Sequence, residues 1–161
     1  MIRRGRKTDL SDEQLLAMGE IAYWAARVER TLGLVVAGLV NKDSEAGQLV
    51  TNGMAFQNLL VLGTRLVSLR APEDRARVLY TKLAGPLKTA MEERHHVLHS
   101  SWTRPRPHGP VSATLTRAKG SVEREFTIEE IESVANDLAA LDDRLFLLHL
   151  GVNDIVEWMM D

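Results

Sequence analysis

Cysteine is absent from all 161 residues. Its absence excludes disulfides, thiolate zinc sites, iron–sulfur clusters and cysteine nucleophiles together. Long apolar runs are missing as well. The longest, Leu32 to Val40, is nine residues, too short to span a bilayer, so no membrane partner is expected. The basic start, Met-Ile-Arg-Arg-Gly-Arg-Lys, leads into no apolar segment, so no secretory signal is expected. Phosphate-binding glycine loops, dinucleotide fingerprints, Gly-x-Ser-x-Gly elbows and zinc motifs do not occur, and no cofactor is expected. With 45% hydrophobic residues the chain can bury one core, as a soluble, cytoplasmic, single-domain protein would.

Charge is nearly balanced in total, at −2, yet unevenly spread. Residues 1–10 form a basic arm of net +3, and residues 101–126 carry another +3. Residues 127–161 hold nine carboxylates against Arg144 alone, a net of −8. The two basic segments would attract a polyanion and the acidic end would repel one. Ordinary solvated faces plus an arm would give the same pattern.

Helical spacing dominates from residue 11 onward. Ser11 with Gln14 and Thr127 with Glu130 are capping boxes, each opening a long apolar stripe. The first stripe is Met18, Ala22, Ala25, Val28, Leu32, Val35 and Leu39; the last runs from Ile128 to Met159. Between them a helical region over 45–70 weakens near Thr51-Asn52-Gly53, and Pro72 starts another over 73–101. Gly85-Pro86 predicts a kink or short break inside it. Three of the five prolines fall at 105, 107 and 110, followed by two β-prone runs, 111–116 and 121–126, around Ala-Lys-Gly. The expected fold is all-α: an up-down bundle of four to five helices over 11–161, with a proline-rich loop and β-hairpin inserted at 103–126.

One turn breaks the inward pattern. Between Met91 and Leu98 the apolar stripe should supply a core residue, and the sequence supplies Arg94 and His95, with His99 one turn on. Polar groups on an inward stripe are costly unless paired or functional. A structural reading pairs Arg94 with Glu29, which adjoins Val28 on the first helix. A metal reading uses His95, His99 and Glu92, but lacks the second Glu-x-x-His such bundles require, and His149 alone stands on the last helix. A catalytic reading gives histidine the proton transfers of metal-free RNA cleavage and arginine the phosphoryl charge. Residues five apart on a helix diverge by about 140°, so two copies of the chain would have to complete such a site. Ser100 and Ser101 would add hydroxyl contacts, Trp102 a stacking ring or a core contact, and Arg104 and Arg106 phosphate contacts.

Arg94, the polar His95 and then His99 resemble the R-x4-6-H signature of HEPN domains. The run Tyr-Trp-Ala-Ala-Arg-Val-Glu-Arg-Thr-Leu at 23–32 and the ending His-Ser-Ser-Trp at 99–102 are similar to stretches of bacterial members. The resemblance covers about 11–102 and the final helix and leaves 103–126 outside. It implies a helical bundle that forms a homodimer with two motifs in one cleft. It further implies a metal-independent endoribonuclease, as in toxins with protein antitoxins or in phage defence, or a module that only binds RNA, nucleotide or protein. Carried over, Arg94 and His99 would be catalytic and His95 would support them, in the place where asparagine is commoner.

Overall fold

The computed structural model describes residues 10–41, 44–70, 75–103, 110–118 and 120–158. The basic arm, Pro72 and the proline-rich stretch with Arg104 and Arg106 lie outside them. The chain is mostly helical. Helices α1 (Asp12–Val40), α2 (Ser44–Thr51), α3 (Phe56–Arg70) and α4 (Arg75–His99) precede strands β1 (Ser101–Thr103), β2 (Val111–Arg117) and β3 (Gly120–Phe126), and α5 (Ile128–Trp158) closes the order. Among the described residues, no helix is long and apolar enough to cross a membrane.

Both capping boxes form. Ser11 Oγ accepts from the Gln14 amide at 3.2 Å while the Gln14 side chain accepts from the Ser11 amide at 2.9 Å. Thr127 and Glu130 do the same at the head of α5, at 3.2 and 2.8 Å. Each box satisfies two amides that a helix start leaves without an intrahelical acceptor. The buried face of α1 is Ala17, Ile21, Ala25, Val28, Leu32, Val35, Val36 and Leu39. The expected stripe is thus rotated by one residue at its start, where Met18 is half-buried and Ala22 exposed.

α1 is the central helix and packs against all four others. Its contact with α5 joins Ile21, Leu32 and Val35 to a core that includes Ile131, Leu138 and Leu145. The second helical region divides where the sequence weakens. Gly53, at φ +75°, turns the chain between α2 and α3 in the left-handed region that glycine tolerates best. Two glycines set how closely helices approach. A Cβ on Gly47 would overlap the Ala37 carbonyl of α1, and one on Gly63 would overlap the Tyr80 hydroxyl of α4. Tyr80 is buried and donates to the Leu60 carbonyl at 3.1 Å. Burial pushes its phenol well above the ordinary tyrosine range.

Two expectations are refined here: the short break expected at Gly85-Pro86 does not occur, and the expected hairpin forms with an added strand. α4 runs unbroken through Pro86. Lys82, whose carbonyl Pro86 deprives of its usual donor, is exposed, so that carbonyl can be hydrated at the surface. The hairpin is part of a larger unit: β1 adds a third antiparallel strand, in the order β1-β2-β3, with Trp102 opposite Ala113 and Ala113 opposite Arg124. Val111, Ala113 and Phe126 join the helical core, the apolar support that an isolated hairpin would lack. The fold is mostly helical, with this small antiparallel sheet set before the last helix.

His149 on α5 is half-buried, and burial holds its pKa below the usual 6.5. As pH falls, the unfolded chain takes up this proton before the folded one. Its contribution to stability is thus present above about pH 6.5 and lost as pH falls below it. The melting temperature is expected to drop from pH 7.5 to pH 5.5, with a shallower slope in His149→Gln. Equal slopes for the two proteins in differential scanning calorimetry would contradict this.

Candidate functional site

The last two turns of α4 carry the residues singled out by pattern, and their surroundings decide what each can do. Arg94 is half-buried, and its Nε is shut off from solvent with no acceptor among the described residues. It lines a groove of about 290 Å³ with Glu29 of α1, Phe56 and Gln57 of α3, and Lys88 and His95 of its own helix. The expected ion pair with Glu29 is not made. Both side chains border this groove, yet neither has an ion-pair partner among the described residues. Lys88 is only loosely balanced, reaching Glu92 one turn on at 4.0 Å, with both side chains exposed.

His95 and His99 are exposed and their rings meet at a tilt of 43°, centroids 4.6 Å apart. This is the i, i+4 adjacency expected along one helix face. His99 does not border the groove that Arg94 lines. A single chain therefore brings Arg94 and His95 together, and His95 and His99, but leaves Arg94 and His99 on diverging directions. Among the described residues, no three His, Asp or Glu side chains cluster as a metal site would require.

The residues that follow are occupied structurally. Ser100 donates from Oγ to the His96 carbonyl at 2.6 Å. Ser101 lies in β1 opposite Thr114. Trp102 is half-buried, 5.5 Å from the Phe126 ring, and its indole N–H donates to the Val97 carbonyl at 3.0 Å. The core contact therefore describes Trp102, and its N–H is already satisfied. Arg124 binds Glu93 at 2.6 Å and lies 4.3 Å above the Phe126 ring, which fastens β3 to α4 just before the candidate turn. Beside this contact His96 meets the Phe126 ring at 5.6 Å.

A second polar constellation escaped sequence reasoning. Asp142 of α5 is fully buried and accepts from Arg27 Nε at 2.8 Å and from Thr31 Oγ1 at 2.6 Å, both on α1. Arg27 also reaches the Tyr23 hydroxyl at 3.4 Å and lies 5.3 Å from the Trp24 ring. Its hydrogen bonds to Tyr23 and Asp142 hold the guanidinium above its already high pKa. The available sequence signal was a carboxylate among Leu138, Leu141 and Leu145, on the buried side of the last helix.

No family model, curated protein or solved structure matches this chain. What the site does must therefore be argued from its own groups.

Proposed function

We propose that the α4 turn from Arg94 to His99 binds an RNA phosphodiester and, in a homodimer that places two such turns in one cleft, cleaves it without a metal. This is a HEPN-like reading. The observation that carries it is Arg94: a half-buried guanidinium that closes no ion pair among the described residues, beside a loosely held lysine and an exposed histidine pair. A permanent cation in that setting favours an anionic ligand, and its planar fork suits phosphate oxygens.

The chemistry needs only these groups. One histidine accepts the 2′-hydroxyl proton, and the 2′-oxygen bonds to phosphorus. The bond from phosphorus to the 5′-oxygen breaks, and a second histidine gives that oxygen a proton. The products are a 2′,3′-cyclic phosphate and a free 5′-hydroxyl. Arg94 stabilises the charge that builds on the phosphoryl oxygens. Because Arg94 and His99 diverge by about 140°, the partner copy supplies the opposite wall of the cleft. A cytoplasmic toxin held by a protein antitoxin, or a defence or stress component, would suit this activity.

Single-stranded RNA incubated with the pure protein in EDTA should yield fragments ending in cyclic phosphate. Arg94→Ala or His99→Ala should slow cleavage by about 10²–10⁴-fold while leaving the circular dichroism spectrum intact. Intact RNA after long incubation at high protein concentration would overturn the cleavage reading. The divergence of Arg94 and His99 favours a second reading, a non-catalytic module that binds RNA, nucleotide or protein through the same groove. It predicts RNA or nucleotide binding weakened by Arg94→Ala with no strand scission by the wild type.

A further inference from the structure

Arg94 shares its groove with two acidic side chains: Glu92, loosely paired with Lys88 at 4.0 Å, and Glu29, which closes no ion pair among the described residues. Glu29 projects from α1, half-buried, with no ion-pair or hydrogen-bond partner among the described residues, although Arg94 and Lys88 border the same space. An acid and a base that line one groove and remain apart favour a ligand carrying an anion at one end and hydrogen-bond donors at the other. The volume, about 290 Å³, lies at the small end of ligand sites and suits a single nucleoside rather than a stretch of strand. Its apolar surface suits a flat ring. Phe56 is half-buried and packed on the core, and Met91 is buried beneath the groove.

We propose that Glu29 is a specificity-determining residue that reads guanine at this groove; the inference rests on the reading that Arg94 binds an RNA phosphate. An ionised carboxylate can only accept hydrogen bonds, and it accepts best from two parallel N–H groups. On its Watson–Crick edge guanine offers that fork, N1–H beside the exocyclic N2–H. Adenine and cytosine offer an amino group beside a ring nitrogen that repels the carboxylate. Uracil offers one N–H between two carbonyl oxygens. With the phosphate on Arg94 and Lys88 and the ring on Phe56, stacking contributes affinity that all bases share. Glu29 supplies the difference between them. It also borders a second groove, of about 710 Å³, with Arg30, Gln48 and Asn52. A strand bound through its guanosine would have that surface for the next nucleotide.

The test is calorimetric titration of the full chain with guanosine, adenosine, cytidine and uridine 5′-monophosphates. The wild type should bind the guanosine nucleotide at least tenfold more tightly than the other three, the scale of one good bidentate base contact. Glu29→Gln should weaken guanosine monophosphate about tenfold and leave uridine monophosphate within twofold. Equal affinity for all four, lowered throughout by Arg94→Ala, would overturn the guanine assignment while leaving the phosphate site standing. A guanine preference that survives in Glu29→Gln would also overturn it. No binding of any of the four by the wild type, with no effect of Arg94→Ala on RNA, would remove the underlying reading as well. The wild-type comparison needs no variant, so an unfolded Glu29→Gln would not shield the proposal.

Discussion

Asp142→Ala is expected to lower the unfolding free energy by about 3 kcal/mol, the scale reached when a buried hydrogen-bonded charge is removed. In a chain of this size that corresponds to a fall in melting temperature of roughly 6–12 °C. The cost arises on the buried side of the network. Thr31, 7% exposed, loses the acceptor 2.6 Å from its hydroxyl, and a side chain with 0% exposure leaves space behind in the α1–α5 contact. Arg27 suffers less, because its side chain is 47% exposed and keeps water and the Tyr23 hydroxyl. Asp142→Asn keeps the volume and one acceptor and should lose about half as much. Arg27→Ala should be far more damaging than an ordinary surface substitution, since it strips a buried carboxylate of its counter-charge. Urea denaturation would read all three. A midpoint for Asp142→Ala within 0.1 M of wild type would mean that the network contributes nothing to stability.

Gly63→Ala should be the second large effect, although alanine is the better helix former by about 1 kcal/mol. Its Cβ would overlap the Tyr80 hydroxyl. Tyr80 is 2% exposed and tied to the Leu60 carbonyl at 3.1 Å, so its ring has nowhere to move. Overpacking of this kind, with the hydrogen bond strained, should give a net loss of about 2–3 kcal/mol. A double-mutant cycle isolates the cause. Tyr80→Leu should destabilise the wild type but cost much less, or help, in the Gly63→Ala background. Strict additivity would place the damage elsewhere.

What could be read from the sequence follows from the range of the interactions. Ser11–Gln14 and Thr127–Glu130 span three residues, and both capping boxes form where the sequence puts them. The break before α3 is equally local, with Gly53 at positive φ. β1 was missed because three residues carry almost no periodicity, and its partner β2 lies beyond a stretch of prolines. Asp142 meets Arg27 and Thr31 across more than a hundred residues, a pairing that no spacing rule can propose. At the candidate site, Arg94, His95 and His99 stood out as polar groups on an expected inward stripe, but the buried positions of this stretch are Met91 and Val97, while Arg94 is half-buried and both histidines are exposed. That Glu29 borders the Arg94 groove without closing an ion pair depends on how α1, α3 and α4 pack. Its place beside Val28 on the first helix's stripe could only nominate it as a salt-bridge partner.

The sheet bears on motion at this turn. Helix ends ordinarily fray, and a ligand that binds there must first bring the chain to order. Here Ser100 and Trp102 donate back to the carbonyls of His96 and Val97, and Ser101 is already paired with Thr114. The histidine-bearing turn is held from beyond its own terminus. A ligand arriving at this turn would find it already ordered, so little conformational entropy would be lost on association.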